Sequence, residues 1–156
     1  MIELYKGDAK RIQHFCKVHS YAKLIAETEN VDEKCLFTIE AAALTHDIGI
    51  HFCEEKYGNC NGKLQEQEGP AIAERLLKKL GFDQEISDRV QYLIAHHHTY
   101  NNINEIDYQI LVEADFLVNI MEDGLSKEAA LKAYHSIFKT TCGKMICREM
   151  FDIGVR

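Results

Sequence analysis

An imidazole and a carboxylate stand side by side at His46 and Asp47, at the end of an alanine- and leucine-rich run. The residues that recur at helical spacing before Asp47 are Leu36, Ile39, Ala43 and His46. This spacing predicts that His46 continues the inward face of a helix, and Gly49 follows where a left-handed C-cap is expected. An imidazole nitrogen and a carboxylate oxygen together suit a divalent transition metal. Taken alone, the pair is better explained by a histidine at the negative helix end with Asp47 as its ion-pair partner.

Asp115 is a carboxylate inside the strongly apolar run Ile110 to Val118. Leu111 and Val118 share its side of the predicted helix, whereas Glu113 points about 200° away. Asp115 is therefore predicted to face inward and Glu113 outward. Because a buried carboxylate is costly unless it is paired or bound to a cation, Asp115 indicates either a metal ligand or an ion pair between helices.

Two further histidines extend this pattern. His14 lies at the edge of the apolar stripe of the first predicted helix, and His97 follows Ile94 by three residues within a run of three histidines. His96 and His98 are predicted to be rim or solvent residues. Four predicted helices thus each offer an imidazole or a carboxylate at an inward edge, which is typical of a metal site inside a helical bundle.

Start and stop signals predict about six to seven helices and no strands. The predicted helices are one capped by Asp8 and running to about Glu29, one opened by Asp32, one with Pro70 near its start and Gly81 at its end, one from Asp83 to the histidine run, one from about Ile106 to Met121, one capped by Ser126, and a short one near Lys144 to Phe151. Residues Ile50 to Lys63 are predicted to be a polar connection, long enough to act as a lid. The expected fold class is an all-α, single-domain helical bundle over residues 1–156, with a motif-bearing core at about 8–120 and C-terminal helices at 121–156.

Composition limits the classes of partner. With 156 residues, 46% of them hydrophobic, the chain fits one globular domain. Lys and Arg number 18 against 25 Asp and Glu, a net charge of −7 with no basic stripe, so no nucleic-acid polymer is expected. No apolar run approaches the roughly 18 residues of a membrane span, and no signal peptide is evident. The six cysteines form no Cys-x-x-Cys pair and are expected to be reduced thiols of a cytoplasmic protein. Nothing in the sequence indicates an oligomeric state.

The order His … His-Asp … His … Asp resembles the HD-domain superfamily of metal-dependent phosphohydrolases, of the His-Asp-Ile-Gly type. The resemblance covers roughly residues 8 to 120. The matching pieces are His14-Phe15-Cys16-Lys17-Val18, Ala41 to Gly49, Ile94-Ala95-His96-His97 and Glu113-Ala114-Asp115-Phe116-Leu117. The resemblance implies an HD-domain-like bundle in which His14, His46, Asp47 and Asp115 bind one divalent metal.

The resemblance also bears on a second ion. Superfamily members with two metals carry further histidines after the His-Asp pair, and Gln65 takes the place of the first of these. One ion is therefore expected, and two remain open if His97, Glu66 or Glu68 serves as a second-site ligand or supports one. Ile50 stands where some members have a lysine, which removes support for a cyclic-dinucleotide role.

The expected chemistry is hydrolysis of a phosphoester of a small nucleotide or related metabolite by a metal-activated water. The expected catalytic residues are Asp47, His97 and Lys63; the candidates for contacting substrate phosphate are Lys63, His51 and Arg75, although each is more often simply a solvated residue. Manganese, iron, cobalt, nickel and zinc all suit such ligands. Two alternatives stay open: a di-iron oxygenase-like HD protein, and a non-catalytic regulatory module that binds a metal or a nucleotide.

Overall fold

The computed structural model describes residues 1–154, and all regular secondary structure in this part of the chain is helical. The eight helices are α1 (Ala9–Thr28), α2 (Glu33–Thr45), α3 (Ile50–Tyr57), α4 (Gly62–Lys79), α5 (Gln84–Ile94), α6 (Ile106–Glu122), α7 (Lys127–Ser136) and α8 (Thr141–Met150). The predicted all-α class is confirmed. Within the described residues, no helix combines the length and the apolar character needed to cross a lipid bilayer.

Side-chain caps begin the helices where the sequence predicts them. Asp8, Asp32, Asp83 and Ser126 each accept a hydrogen bond from a backbone N–H in the first turn of α1, α2, α5 and α7 respectively. Such a cap satisfies one of the N–H groups that a helix start leaves without a partner, and contributes about 1 kcal/mol. These four predicted starts are confirmed.

Helix α6 is the central element of the fold. It packs against α1, α2, α7 and α8, and its residues from Asp107 to Asp115 are all buried. Apolar side chains such as Leu111 and Leu117 are fully enclosed, each contributing about 1.5–3 kcal/mol through burial. Because residues 107–115 of α6 are buried on every face, any polar side chain among them needs a partner within the protein.

The segment after the His-Asp pair is not the predicted connection, because most of it forms α3. Ile50 and Cys53 are buried at a helical spacing of three residues, and this short apolar pair fixes the helix in an otherwise polar sequence. Gly58, with φ of 72°, ends α3, and Asn61 caps α4 by accepting a hydrogen bond from the Leu64 N–H. The true turn therefore extends only from Gly58 to Asn61.

Two glycines bring α4 against the corner between α2 and α3. Gly49 has φ of −79° and is not the predicted left-handed C-cap. A Cβ added to Gly49 would lie 3.2 Å from the Cα of Gly69, so both residues are small because the two backbones touch. Helix α4 already begins at Gly62, so Pro70 lies in its middle and not near its start as predicted. Because proline has no N–H, the Glu66 carbonyl four residues earlier loses its usual helical hydrogen-bond donor.

The histidine run lies beyond the helix that was predicted to contain it. Helix α5 ends at Ile94, and His96, His97 and His98 occupy the turn that follows. Their directions are therefore set by this turn and not by the phase of a continuing helix.

Candidate metal centre

Four side chains converge at the junction of α1, the end of α2 and α6. The Nε2 atoms of His14 and His46 lie 3.4 Å apart. Asp115 Oδ1 lies 3.2 Å from the first and 3.6 Å from the second. Asp47 Oδ2 lies 3.6 Å from each of the two nitrogens. The structure thus brings together all four residues that the sequence nominated as ligands of one metal.

Each of these residues is positioned by a simple local feature. His14 lies in the second turn of α1, where the Asp8 cap fixes the helix start. His46 is the C-cap residue of α2, and Asp47 lies in the turn that follows. Because the backbone leaves the helix there, two neighbouring side chains can face the same point. The Tyr5 hydroxyl donates a 2.8 Å hydrogen bond to the Asp47 carbonyl and holds this turn in place.

The imidazoles present the same ring nitrogen to the centre because the other nitrogen is already engaged. His46 Nδ1 lies 2.9 Å from the Ala43 carbonyl oxygen, and His97 Nδ1 lies 2.7 Å from the Ile94 carbonyl oxygen. A carbonyl oxygen only accepts hydrogen bonds, so Nδ1 carries the proton in the neutral ring and Nε2 is left with its lone pair. This tautomer is the one required for a histidine that binds a metal through Nε2.

Charge within the cluster shifts the acidity of its members. Burial alone would lower the pKa of His14 and His46, but Asp115 and Asp47 outweigh it, so the pKa of His14 is raised and that of His46 is raised to about 9. Burial would likewise raise the pKa of both carboxyls, but the nearby imidazoles outweigh it and hold the pKa of Asp47 and Asp115 below its ordinary value. The cluster therefore retains protons that a divalent cation would have to displace.

The donor set fits a divalent cation. Donors arranged tetrahedrally at about 2.1 Å from a metal lie about 3.4 Å from one another, close to the separations found here. Asp115 Oδ1 is buried and has no hydrogen-bond partner of suitable geometry within residues 1–154. A buried carboxylate oxygen without a donor is unfavourable unless a cation satisfies it. Asp47 is the most accessible of the four side chains, at 14% against 9% or less for the others, so the centre opens to solvent on its side.

A second group of donors adjoins the first through Asp47. The other Asp47 oxygen, Oδ1, lies 3.4 Å from His97 Nε2, and His98 is close enough to both to share an ion. His97 Nε2 is also buried without a hydrogen-bond partner among the described residues. Burial and the neighbouring His97 lower the pKa of His98 to about 4, which keeps its ring neutral.

The histidine pair beside Asp47 is His97 and His98, one position later than the pair aligned from the sequence. His96 points elsewhere, with its ring stacked on Tyr92 and its Nδ1 2.7 Å from the Tyr92 carbonyl oxygen. His98, predicted to be a rim residue, is half-buried, and its Nε2 lies 3.3 Å from Gln65 Oε1. Gln65 therefore lies beside the second group, where superfamily members with two metals place a histidine.

The two glutamates considered for a second site are engaged in other contacts. Glu66 accepts hydrogen bonds from the backbone N–H of His98 and from the Thr99 hydroxyl, so it holds the histidine turn from outside. Glu68 contacts the Tyr57 hydroxyl and Lys56 near the surface. Of the two, Glu66 supports the second group indirectly, through the backbone of His98.

The three candidates for binding phosphate do not share one site with the converging side chains. His51 and Arg75 line a cleft of about 210 Å³ whose lining includes none of the four converging side chains, and His51 Nε2 contacts Asp8. Lys63 is exposed in the first turn of α4 and forms no ion pair with any residue of the described range. Its neighbour Gly62 packs on the second group, since a Cβ added there would lie 2.7 Å from the His98 ring.

Glu113 does not face outward as predicted. Its side chain is fully buried and accepts hydrogen bonds from the Lys139 and Thr140 backbone N–H groups, the Thr140 hydroxyl and the Gln109 amide. The helix phase was correct in turning Glu113 away from Asp115, but the opposite face of α6 is covered by the segment that leads into α8. The strongly apolar sequence of α6 already indicates a helix enclosed on all sides.

Sequence reasoning missed two charged residues next to the centre. Glu122 Oε2 lies 3.0 Å from His14 Nδ1, and Lys17 Nζ lies 3.0 Å from Glu122 Oε1. Spacing could have found both. Glu122 follows Asp115 by two helical turns, and Lys17 follows His14 by one, so each shares a helix face with a proposed ligand.

Comparison with known proteins agrees with this arrangement. A buried cluster of His and Asp side chains inside an all-helical fold is typical of helical domains that bind a metal in their core. The HD domain family model matches residues 11–133, a span that contains all four converging side chains, and the chain belongs to the HD domain family. This superfamily consists mostly of metal-dependent phosphohydrolases. No curated protein and no solved structure gives a significant match.

Proposed function

We propose that this protein is a metal-dependent phosphohydrolase that cleaves a phosphoester of a small nucleotide or related metabolite. The observation that carries the proposal is the convergence of four side chains. His14 and His46 Nε2 lie 3.4 Å apart, and one carboxylate oxygen each of Asp47 and Asp115 lies 3.2 to 3.6 Å from both nitrogens. Membership of the HD domain family supports the reaction class.

His14, His46, Asp47 and Asp115 are the residues that would hold the ion. Two imidazole nitrogens and two carboxylates suit manganese, iron, cobalt, nickel or zinc. When bound, such an ion supplies Lewis-acid polarisation of a phosphoryl oxygen and activation of water at neutral pH. The two carboxylates together balance the charge of a dication.

Asp47 and His97 are the residues best placed to handle the proton of an attacking water. Asp47 directs one oxygen to the four-donor cluster and the other to His97 Nε2, 3.4 Å away. A water that contacts both groups from the open side of the centre would be oriented by Asp47 and would pass a proton to the lone pair of His97 Nε2, leaving hydroxide to attack the phosphorus. Proton transfer by a positioned histidine typically contributes about 10²–10⁴-fold to a rate.

Lys63 is the retained candidate for steadying the charge of the substrate phosphate. It is exposed in the first turn of α4, whose N-terminus packs against His98 through Gly62. A helix N-terminus favours anions, and a flexible ammonium group adds a mobile positive charge. His51 and Arg75 line a different cleft and are assigned no role in this step.

A second ion would use Asp47, His97 and His98. Their donor atoms all lie within 4.8 Å of one another. With Gln65 in place of a fourth strong ligand, this group is expected to bind an ion more weakly than the first. We therefore propose one tightly bound ion and a weaker second site.

The proposal is tested by assaying metal-depleted protein, resupplied separately with Mn, Fe, Co, Ni and Zn, against a panel of nucleotides and simple phosphate esters. Phosphate release that depends on the added ion is expected. The matched control is Asp47→Ala protein purified in the same way, which should be inactive if the phosphate does not come from a contaminant. Activity retained in strict anaerobiosis would exclude a di-iron oxygenase, and absence of turnover with every ion would favour a regulatory module.

A further inference from the structure

Glu122 gives Nδ1 of His14, the ring nitrogen that faces away from the centre, a charged acceptor that His46 and His97 lack. In those two residues the acceptor for Nδ1 is a neutral backbone carbonyl of the preceding turn, Ala43 or Ile94. In His14 the acceptor is the Glu122 carboxylate, at 3.0 Å. A charged acceptor makes a stronger hydrogen bond and raises the basicity of the opposite ring nitrogen.

The Glu122 carboxylate is itself held in one orientation. Its side chain is 12% exposed, and its second oxygen accepts from Lys17 Nζ at 3.0 Å. Each oxygen therefore has one donor, which leaves Oε2 free to serve the His14 ring. The contact also joins α1 to α6, the two helices that carry His14 and Asp115.

A second triad of the same composition lies on α1 and α2, one and a half turns further along the chain. His19 Nε2 lies 2.9 Å and Lys23 Nζ 3.0 Å from Glu40 Oε1. None of its members belongs to the four-donor cluster. It therefore provides a matched internal control for a contact among histidine, glutamate and lysine.

We infer that Glu122 is a positioning residue for the metal centre: it fixes the ring orientation and the tautomer of His14 so that Nε2 faces the ion. The inference rests on the proposed function, because the direction of His14 Nε2 matters only if this nitrogen binds the ion. Glu122 is then necessary for tight metal binding although its carboxylate contacts His14 Nδ1 and not the ion. Lys17 serves only to restrain the carboxylate.

The test measures zinc and manganese affinity of metal-depleted protein by calorimetry for the wild type, Glu122→Gln, Lys17→Met and the control Glu40→Gln. Glutamine offers a single acceptor oxygen, for which His14 and Lys17 would compete. Glu122→Gln should weaken binding by about ten- to a hundredfold, the range seen when the partner of a ligating histidine is lost. Glu40→Gln should leave the affinity near that of the wild type, and Lys17→Met, which keeps the carboxylate but removes its restraint, should lower it clearly less than Glu122→Gln.

A second measurement separates positioning from a purely structural role. In the zinc-loaded wild type, nitrogen-15 NMR should show a slowly exchanging Nδ1 proton on His14, and Glu122→Gln should lose this protection while the His46 and His97 protons keep theirs. Unchanged affinity in Glu122→Gln would overturn the inference alone. An equal loss in Lys17→Met would also overturn it, because the α1–α6 ion pair itself would then be what matters. A wild type that binds neither ion would overturn the proposed function as well.

Discussion

Asp115 Oδ1 lies 3.2 Å from His14 Nε2, and within residues 1–154 this oxygen has no hydrogen-bond partner of suitable geometry. The two residues belong to helices far apart in sequence, and the enclosed α6 brings the carboxylate to α1. A buried acceptor and a lone-pair nitrogen at this distance satisfy each other only through a shared proton or a shared cation.

Removing Asp115 should remove the metal. Asp115→Ala deletes an anionic donor and leaves His14 and His46 with Asp47 as the remaining carboxylate, so metal content after dialysis should fall to near zero and ion-dependent activity should be lost. Elemental analysis of the folded protein measures this directly. Full metal content in Asp115→Ala would refute the assignment of Asp115 as a ligand.

Glu113→Ala should destabilise the fold without emptying the centre. The substitution removes the acceptor for the Lys139 and Thr140 N–H groups, the Thr140 hydroxyl and the Gln109 amide. Each buried donor left without a partner costs about 1–3 kcal/mol, and partial relaxation should bring the total loss to about 2–4 kcal/mol. Urea denaturation gives the free energy of unfolding. Wild-type stability in this variant would contradict the buried position of Glu113, and loss of metal from its folded fraction would contradict the separation of Glu113 from the centre.

Metal affinity should rise with pH between about 6.5 and about 9. In the metal-free protein the pKa of His46 is raised from 6.5 to about 9 and that of His14 is also raised, so both rings retain protons below these values. A metal must displace these protons, so binding tightens by about tenfold per pH unit for each proton released and levels off once the rings are neutral. Calorimetry in buffers of different ionisation enthalpy counts the released protons. An affinity that is flat over this interval would show that neither ring carries a proton there in the metal-free protein, contrary to the raised pKa of His46.

Gln65→His should strengthen the second site. Gln65 Oε1 lies 3.3 Å from His98 Nε2, so a histidine there would place a stronger donor beside Asp47, His97 and His98. Manganese titration should move from one tightly bound ion toward two, with spin coupling between them visible by electron paramagnetic resonance. Gln67→His, at an exposed position of the same helix, is the control and should not change the stoichiometry. One bound ion in both variants would contradict the proposed second site.

The four converging residues could be predicted because each lies on a regular pattern. His14, His46 and Asp115 follow the spacing of apolar residues in their helices. Asp47 was assigned as a ligand because the order of histidines and aspartates resembles that of the HD-domain superfamily. His97 was expected at an inward edge from its spacing after Ile94, and it is buried beside Asp47. His98 could not be placed in the same way, since it lies in a turn after α5, where no helical phase applies. Glu113 was misplaced because two-sided burial depends on what covers the second face, and this is set by distant residues such as Thr140.

The fold was predictable where a cap or a long apolar stripe marks the helix. Asp8, Asp32, Asp83 and Ser126 each began a helix as expected. Helix α3 was missed because only two buried residues, Ile50 and Cys53, define its inner face. Gly49 was misinterpreted for a related reason: its small size serves the contact with Gly69 on α4, a tertiary requirement that looks like a C-cap in the sequence.

The most direct test of the central claim is anomalous X-ray diffraction from crystals of the protein loaded with manganese. We expect a strong anomalous peak enclosed by His14 Nε2, His46 Nε2 and the carboxylates of Asp47 and Asp115, with each donor at a bonding distance. A fully loaded protein whose anomalous peaks all lie away from these four side chains would contradict it.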